Sequence, residues 1–277
     1  MIQKSRIIKQ ISNDYTVKLD NEIRVCKARG KFRNLGITPL VGDFVEVEDN
    51  YILSILPRKN ELIRPSISNV DQAVIVMSTT IPAFSTDLLD KLLCIIEFNN
   101  INPIIYISKM DLLNNSQIEE INTYIDYYRK IGYQVFTNLS IKEIFKDKIT
   151  VFVGQSGAGK STLLNKLDSS LNLQTGEVSI ALGRGRHTTR HVELINLLDG
   201  MIADTPGFSK LSFIGMSNSD IRDNFIEFNV YKDKCEYQDC MHNKEENCEI
   251  KRQVEQGNIL LSRYNNYLKF IEEKVIK

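Results

Sequence analysis

The run Gly154-Gln155-Ser156-Gly157-Ala158-Gly159-Lys160-Ser161 follows the apolar segment Ile149-Thr150-Val151-Phe152-Val153. It precedes Thr162-Leu163-Leu164-Asn165-Lys166-Leu167, so the order predicts strand, glycine-rich turn, helix. That is the setting of a phosphate-binding loop. Glycines let backbone close around phosphate oxygens, while loop and helix N–H groups supply positive potential. Lys160 is expected to reach the β- and γ-phosphates, Ser161 to ligate Mg²⁺, and Thr162 to join the nucleotide-binding loop.

A phosphate loop does not distinguish ATP from GTP; a second group must read the base. Ser108-Lys109-Met110-Asp111 follows the apolar run Ile104-Ile105-Tyr106-Ile107, at a strand's C-terminal end, where α/β sheets bind ligands. Asp111 can accept from the ring N–H and exocyclic amine of guanine, a donor pair adenine lacks, and the Lys109 stem can cover the base. Asp204-Thr205-Pro206-Gly207 offers a carboxylate for a Mg²⁺-bound water and a glycine N–H for the γ-phosphate. Between these motifs lies Gly183-Arg184-Gly185-Arg186-His187-Thr188-Thr189-Arg190-His191, where Thr188 and Thr189 are both candidates to complete the Mg²⁺ shell. Ras-like GTPases orient the attacking water with a Gln after Asp-x-x-Gly. Phe208 stands there in this chain and cannot hydrogen-bond, which makes His187 the leading candidate to position water or accept its proton. Contact with a nucleic acid or with solvent is the alternative role, and His191 is the weaker candidate.

Cys235-x₄-Cys240-x-His242-x₅-Cys248 gathers three thiols and an imidazole in a short span. Cys₃His is a closed zinc set with no open position, so a structural Zn²⁺ is expected. It would hold a tail too small for a core of its own.

These groups need a frame. Residues 1–65 show short β segments at Tyr15–Leu19, Glu22–Lys27, Asp43–Val47 and Tyr51–Leu56, which predicts a small barrel. Pattern alone does not separate an SH3-like from an OB-like one. Arg24, Lys27, Arg29, Lys31 and Arg33, with Phe32 among them, could track a nucleic-acid backbone or could form a solvated loop. After Arg64-Pro65 the chain alternates strands and helices: Val70–Met77, helix Thr86–Phe98, strand Pro103–Ile107, helix Ser116–Lys130, strand Tyr133–Thr137, then strands Val192–Leu197 and Gly200–Asp204 past the phosphate loop. A helix over Asp220–Phe228, capped by Ser217 or Ser219, and a final helix from about residue 251 to residue 276 complete the tail. Cys26 and Cys94 are expected to be packed core thiols. Net charge is zero, so any nucleic-acid surface must be local. No apolar run reaches a membrane span and the N-terminus lacks a signal-like core, so a cytoplasmic, membrane-free protein is expected, with its cysteines reduced.

The base-reading motif precedes the phosphate loop, whereas GTPases usually place it after Asp-x-x-Gly. The order is circularly permuted, and the segment after Gly207 runs directly into the cysteine-bearing tail. Permuted order, Gly-Arg-His-Thr-Thr-Arg at 185–190, Asp-Thr-Pro-Gly-Phe at 204–208, the cysteine cluster and the segment from Arg64 to Gln72 together resemble the ribosome small-subunit-dependent GTPase A (RsgA) family. The resemblance covers essentially the whole chain. It implies an α/β circularly permuted P-loop GTPase domain (66–215) between an N-terminal OB-fold RNA-binding barrel (1–65) and a C-terminal helical zinc-binding domain (216–277). It further implies a monomeric GTP hydrolase using GTP/GDP, Mg²⁺ and Zn²⁺, which contacts 16S rRNA in late 30S maturation, is stimulated by the 30S subunit, leaves on hydrolysis, and uses His187 in catalysis. Two departures stand out. Ser108 replaces the usual Asn or Thr, and Thr137-Asn138-Leu139-Ser140 is a poor match to the family's second base-contacting segment. Two rival readings remain: a P-loop ATPase or kinase with an RNA-binding arm, and an RNA-binding scaffold that holds nucleotide without turnover.

Overall fold

The computed structural model describes residues 2–19, 22–63, 66–173, 192–204 and 212–275. Along the chain run β1 (Gln3–Ile11), β2 (Asp14–Lys18), β3 (Ile23–Ala28), α1 (Gly30–Asn34), β4 (Phe44–Glu48), β5 (Tyr51–Ile55), β6 (Glu61–Ile63), β7 (Ser66–Ser68) and β8 (Gln72–Ser78). There follow α2 (Thr86–Phe98), β9 (Asn102–Ser108), α3 (Asn115–Lys130), β10 (Gln134–Phe136), β11 (Ile149–Val153), α4 (Lys160–Leu167), β12 (Val192–Leu197), β13 (Gly200–Asp204), α5 (Asn218–Asp223), α6 (Glu249–Glu255) and α7 (Leu261–Val275). The chain packs as two compact units, Met1–Val76 with Asn138–Lys210, and Met77–Thr137 with Leu211–Lys277.

In the first unit, β1 to β5 close on themselves in the order β1-β2-β3-β5-β4, with β4 pairing back onto β1 and β3 running parallel to β5. This five-stranded closure, with α1 between β3 and β4, is the OB type and resolves the choice the pattern left open. Alternation drives it: Ile7, Val17, Cys26, Val45, Val47 and Ile52 are wholly buried inside. Sequence reading missed β1 because a register shift between Ile7 and Lys9 breaks its two-residue period. The same strand continues past the barrel and pairs antiparallel with β12 at Lys9–Glu193 and Gln10–Val192, with a 2.7 Å ion pair between the first two side chains. From β12 the order runs through β13 and β11 to β8, and the last two pairings, β13–β11 and β11–β8, are parallel. Every residue of β11 is buried, as a strand covered on both faces requires.

In the second unit, β9 and β10 pair in parallel. Ser85 caps α2 by accepting from the Leu88 N–H, and an Asn114/Gln117 capping box starts α3. Ser217, rather than Ser219, caps α5 through a box with Asp220. The helix expected over Asp220–Phe228 stops at Asp223, and a 3₁₀ turn over Ile226–Val230 follows, which lets both Phe225 and Phe228 turn into the core. The expected single C-terminal helix is two, α6 and α7. Gly257 has φ +75°, which glycine adopts without strain, and its N–H bonds back to the Val254 carbonyl to end α6. The core of this unit joins Cys94 and Ile95 of α2 to Ile221, Phe225, Phe228, Ile250, Tyr267, Phe270 and Ile271.

Candidate functional site

At the end of β11 the backbone turns through Gly154, whose φ of +137° and close approach to the Val76 carbonyl leave no room for a side chain: a Cβ would stand 2.3 Å from that oxygen. Gly159, with φ +98°, sets the start of α4. Lys160 is the first residue of that helix and folds back over the loop, its ammonium donating to the carbonyls of Gly154 (2.8 Å) and Gln155 (2.7 Å). Burial holds its pKa below the ordinary lysine value. Ser161 and Thr162 occupy the first turn of α4, Ala158 is buried, and Ser156 and Gly157 are exposed. The strand, turn and helix expected from sequence are all present.

The base-reading segment lies in the second unit. Ser108 ends β9 and is buried, its hydroxyl donating to the Met77 carbonyl at 3.3 Å. Lys109 has φ +61°, the left-handed region, and its ammonium donates to the Ile81 carbonyl. A 3₁₀ turn over Met110–Leu112 then presents Asp111 as an exposed carboxylate. Thr79 packs against this turn: its hydroxyl donates to the Lys109 carbonyl (2.9 Å), with the Ser108 carbonyl (3.2 Å) a second acceptor. Sequence reading did not single out Thr79, although its place just past the end of a buried strand was a positional signal. Asn138 accepts from the Ser140 N–H and so caps the 3₁₀ turn over Leu139–Ile144. Asp204 is the last residue of β13. His187, Thr188, Thr189 and Gly207 lie outside the described residues.

The metal-ligand candidates do come together. The ligand atoms of Cys235, Cys240, His242 and Cys248 all lie within 4.8 Å of one another, and the last three residues are buried. His242 Nδ1 is 3.4 Å from Cys248 Sγ and 3.6 Å from Cys235 Sγ. Tetrahedral zinc, with bonds of about 2.3 Å to sulfur and about 2.0 Å to nitrogen, separates such a pair by about 3.5 Å, so the set fits Zn²⁺. Burial pushes His242 down to about 4, keeping the imidazole in its neutral, ligating form, and pushes the Cys240 thiol up to about 12, so metal binding must release protons. The surroundings fix the loop. Tyr264 donates to the His242 carbonyl at 2.7 Å, Tyr267 to the Met241 carbonyl, and Glu245 accepts from the N–H groups of Met241 and Asn243, each at 2.8 Å.

On the barrel, Lys27 sits opposite Tyr51 across the β3–β5 pairing, and both are exposed, as are Arg29 and Lys31. Arg24 is spoken for: it pairs with Glu22 and donates to the Asp49 carbonyl. Phe32 is 5% exposed and belongs to the core, with the Lys31 ammonium 5.5 Å from its ring centroid, whereas Tyr51, 48% exposed, is an accessible aromatic opposite Lys27.

The profile described as RsgA GTPase matches residues 55–214, and that of the RsgA N-terminal domain matches residues 4–51. The small ribosomal subunit biogenesis GTPase RsgA 2 of Oceanobacillus iheyensis is 50% identical over 98% of this chain and 97% of its own length. The crystal structure of YloQ, a circularly permuted GTPase, superposes with a TM-score of 0.84 at 40% identity, covering 100% of this chain and 96% of that one. YjeQ from Thermotoga maritima superposes with a TM-score of 0.87 at 31% identity over 100% of both chains. The phosphate loop and the barrel fall within the matched residues, the motif order agrees with the permuted neighbour, and the chain belongs to the RsgA GTPase family.

Proposed function

We propose that this GTPase of small ribosomal subunit biogenesis binds GTP through Gly154–Thr162 and reads guanine with Lys109 and Asp111. The observation that carries the reading is the loop at the end of β11. Its backbone wraps where only glycine fits at Gly154, and Lys160 is already bent over it. Released from the Gly154 and Gln155 carbonyls, that ammonium stabilises charge developing on the transferred phosphoryl oxygens. Ser161 and either Thr188 or Thr189 would hold Mg²⁺, with Asp204 holding a water on it, and the ion would supply neutralisation of the phosphate charge when bound. Ser108 supports the base-reading turn from within β9. Gly207 senses the γ-phosphate, and His187 positions the attacking water. Cys235, Cys240, His242 and Cys248 would hold a structural Zn²⁺.

The functional division is three-part: a barrel over 1–65 for 16S rRNA, a GTPase segment over 66–215, and a zinc-bearing tail over 216–277. The protein acts as a cytoplasmic monomer that engages the immature 30S subunit with GTP bound and leaves after hydrolysis. Among the described residues no helix is long and apolar enough to cross a membrane. Phosphate release from GTP and from ATP, with and without purified 30S subunits, tests the reading. Stimulation confined to GTP with 30S, and lost in His187→Ala while GTP binding persists, is expected. Turnover of ATP would favour the kinase or ATPase reading, and absence of any turnover the scaffold reading.

A further inference from the structure

We propose that Thr79 is a positioning residue for guanine selection, setting the turn that carries Asp111; this rests on the reading of Lys109 and Asp111 as the base readers. A non-glycine residue in the left-handed region persists where its surroundings over-determine it, and such residues gather at ligand sites. Lys109, at φ +61°, is held from both ends by the segment that trails β8. Its carbonyl accepts the Thr79 hydroxyl at 2.9 Å, and its ammonium donates to the Ile81 carbonyl. The Thr79 N–H also donates to the Ser108 carbonyl, at 3.3 Å.

The Lys109 carbonyl is also the first acceptor of the 3₁₀ turn, taking the Leu112 N–H at 3.2 Å. Thr79 therefore grips the peptide from which the Asp111 turn springs. Asp111 itself is exposed, at the tip of a single short turn, so its direction depends on how firmly that turn is anchored. A carboxylate meeting the ring N–H and the exocyclic amine of guanine needs both oxygens aimed, and a loosened turn forfeits the pair before it forfeits the charge. Ser108 joins the same contact through its carbonyl, which lies 3.2 Å from the Thr79 hydroxyl, while its own hydroxyl donates to the Met77 carbonyl.

The test is equilibrium binding of GDP, inosine diphosphate and pyrophosphate to the full chain. Inosine diphosphate lacks only the exocyclic amine, so the ratio of GDP to inosine diphosphate affinity reports the Asp111 contact. Thr79→Val keeps the shape and removes the hydroxyl; it is expected to lower GDP affinity about tenfold and collapse the ratio, with pyrophosphate binding unchanged. Thr79→Ser restores the hydroxyl and is expected to keep the ratio, and Thr79→Ala serves where valine disturbs folding. Asp111→Asn is the control on the reader itself. A ratio unchanged in Asp111→Asn overturns the base-reader assignment and the proposal with it. A ratio collapsed in Asp111→Asn but intact in Thr79→Val and Thr79→Ala overturns the role of Thr79 alone. Equal losses for GDP, inosine diphosphate and pyrophosphate in Thr79→Val mean a merely structural residue and also overturn it.

Discussion

Arg263 is 1% exposed, yet it carries a full charge through the core of the second unit. Its Nε and Nη2 donate to the two carboxylate oxygens of Glu227 at 2.7 and 2.6 Å, and Nη1 donates to Asp90 at 2.8 Å. The guanidinium lies over the Phe225 ring at 4.6 Å and the Tyr128 ring at 5.6 Å. Burial opposes its charge, but the two carboxylates outweigh that and hold its pKa above the ordinary value. Burial likewise raises Asp90, against the pull of Arg263. Such a cluster adds little net stability over apolar packing, but opening it is costly, because one missing partner strands buried charge. Arg263→Leu should therefore lose about 3–5 kcal/mol in urea unfolding, whereas adding Asp90→Leu and Glu227→Leu to it should recover much of that loss. A triple variant as unstable as the single one would mean that packing, not stranded charge, is what Arg263 supplies.

At the scale of elements, α7 serves two structures at once. Arg263 faces Asp90 of α2, while Tyr264, the next residue, and Tyr267, one turn further on, hold the carbonyls of the cysteine loop. His242 adopts φ +55°, a conformation that costs free energy for a non-glycine residue and that these two hydroxyls and Glu245 hold in place. α7 thus holds the backbone of this loop, and a bound metal would add a further cross-link among its side chains. Purified protein should contain about one equivalent of zinc. Removal by a strong chelator should lower the thermal midpoint and raise amide exchange across residues 235–248 more than in α2. An unchanged midpoint after verified metal loss would refute the structural role.

At the scale of the molecule, the first unit combines a barrel and a nucleotide-type sheet through one long strand. β1 pairs within the barrel over most of its length and with β12 near its end, so a single rigid element belongs to both. With net charge zero, the proposed RNA contact would need a local face, and the exposed Lys27, Arg29 and Lys31, with Tyr51 opposite Lys27, are groups suited to phosphates and bases. Lys27→Glu should weaken association with 30S subunits and lower the salt slope by about one, while GTP hydrolysis without subunits stays unchanged. Unaltered 30S affinity across a salt titration would place the RNA contact elsewhere.

The sequence by itself determined the strand, glycine turn and helix around Lys160, because glycine spacing between an apolar run and a helical segment leaves few other backbone paths. It also determined the Cys₃His set, whose spacing suffices without knowledge of the fold, and the alternation of α2, β9, α3 and β11, whose apolar periods are unambiguous. It did not disclose β1, whose bulge hides its period, nor the break at Gly257, where one glycine ended what looked like a continuous apolar stripe. Barrel type was settled by the closure of β4 onto β1, a pairing between segments far apart in sequence that no local pattern encodes. Phe32 looked like part of a basic aromatic surface and is core, while Tyr51, distant along the chain, stands beside Lys27 instead. Nothing in the sequence sets Arg263 apart from other charged helix residues, and only three-dimensional packing brings Asp90 and Glu227 to it. Thr79 belongs with these. Its place at the Lys109 turn follows from two strands ending side by side, which is a property of the tertiary structure alone.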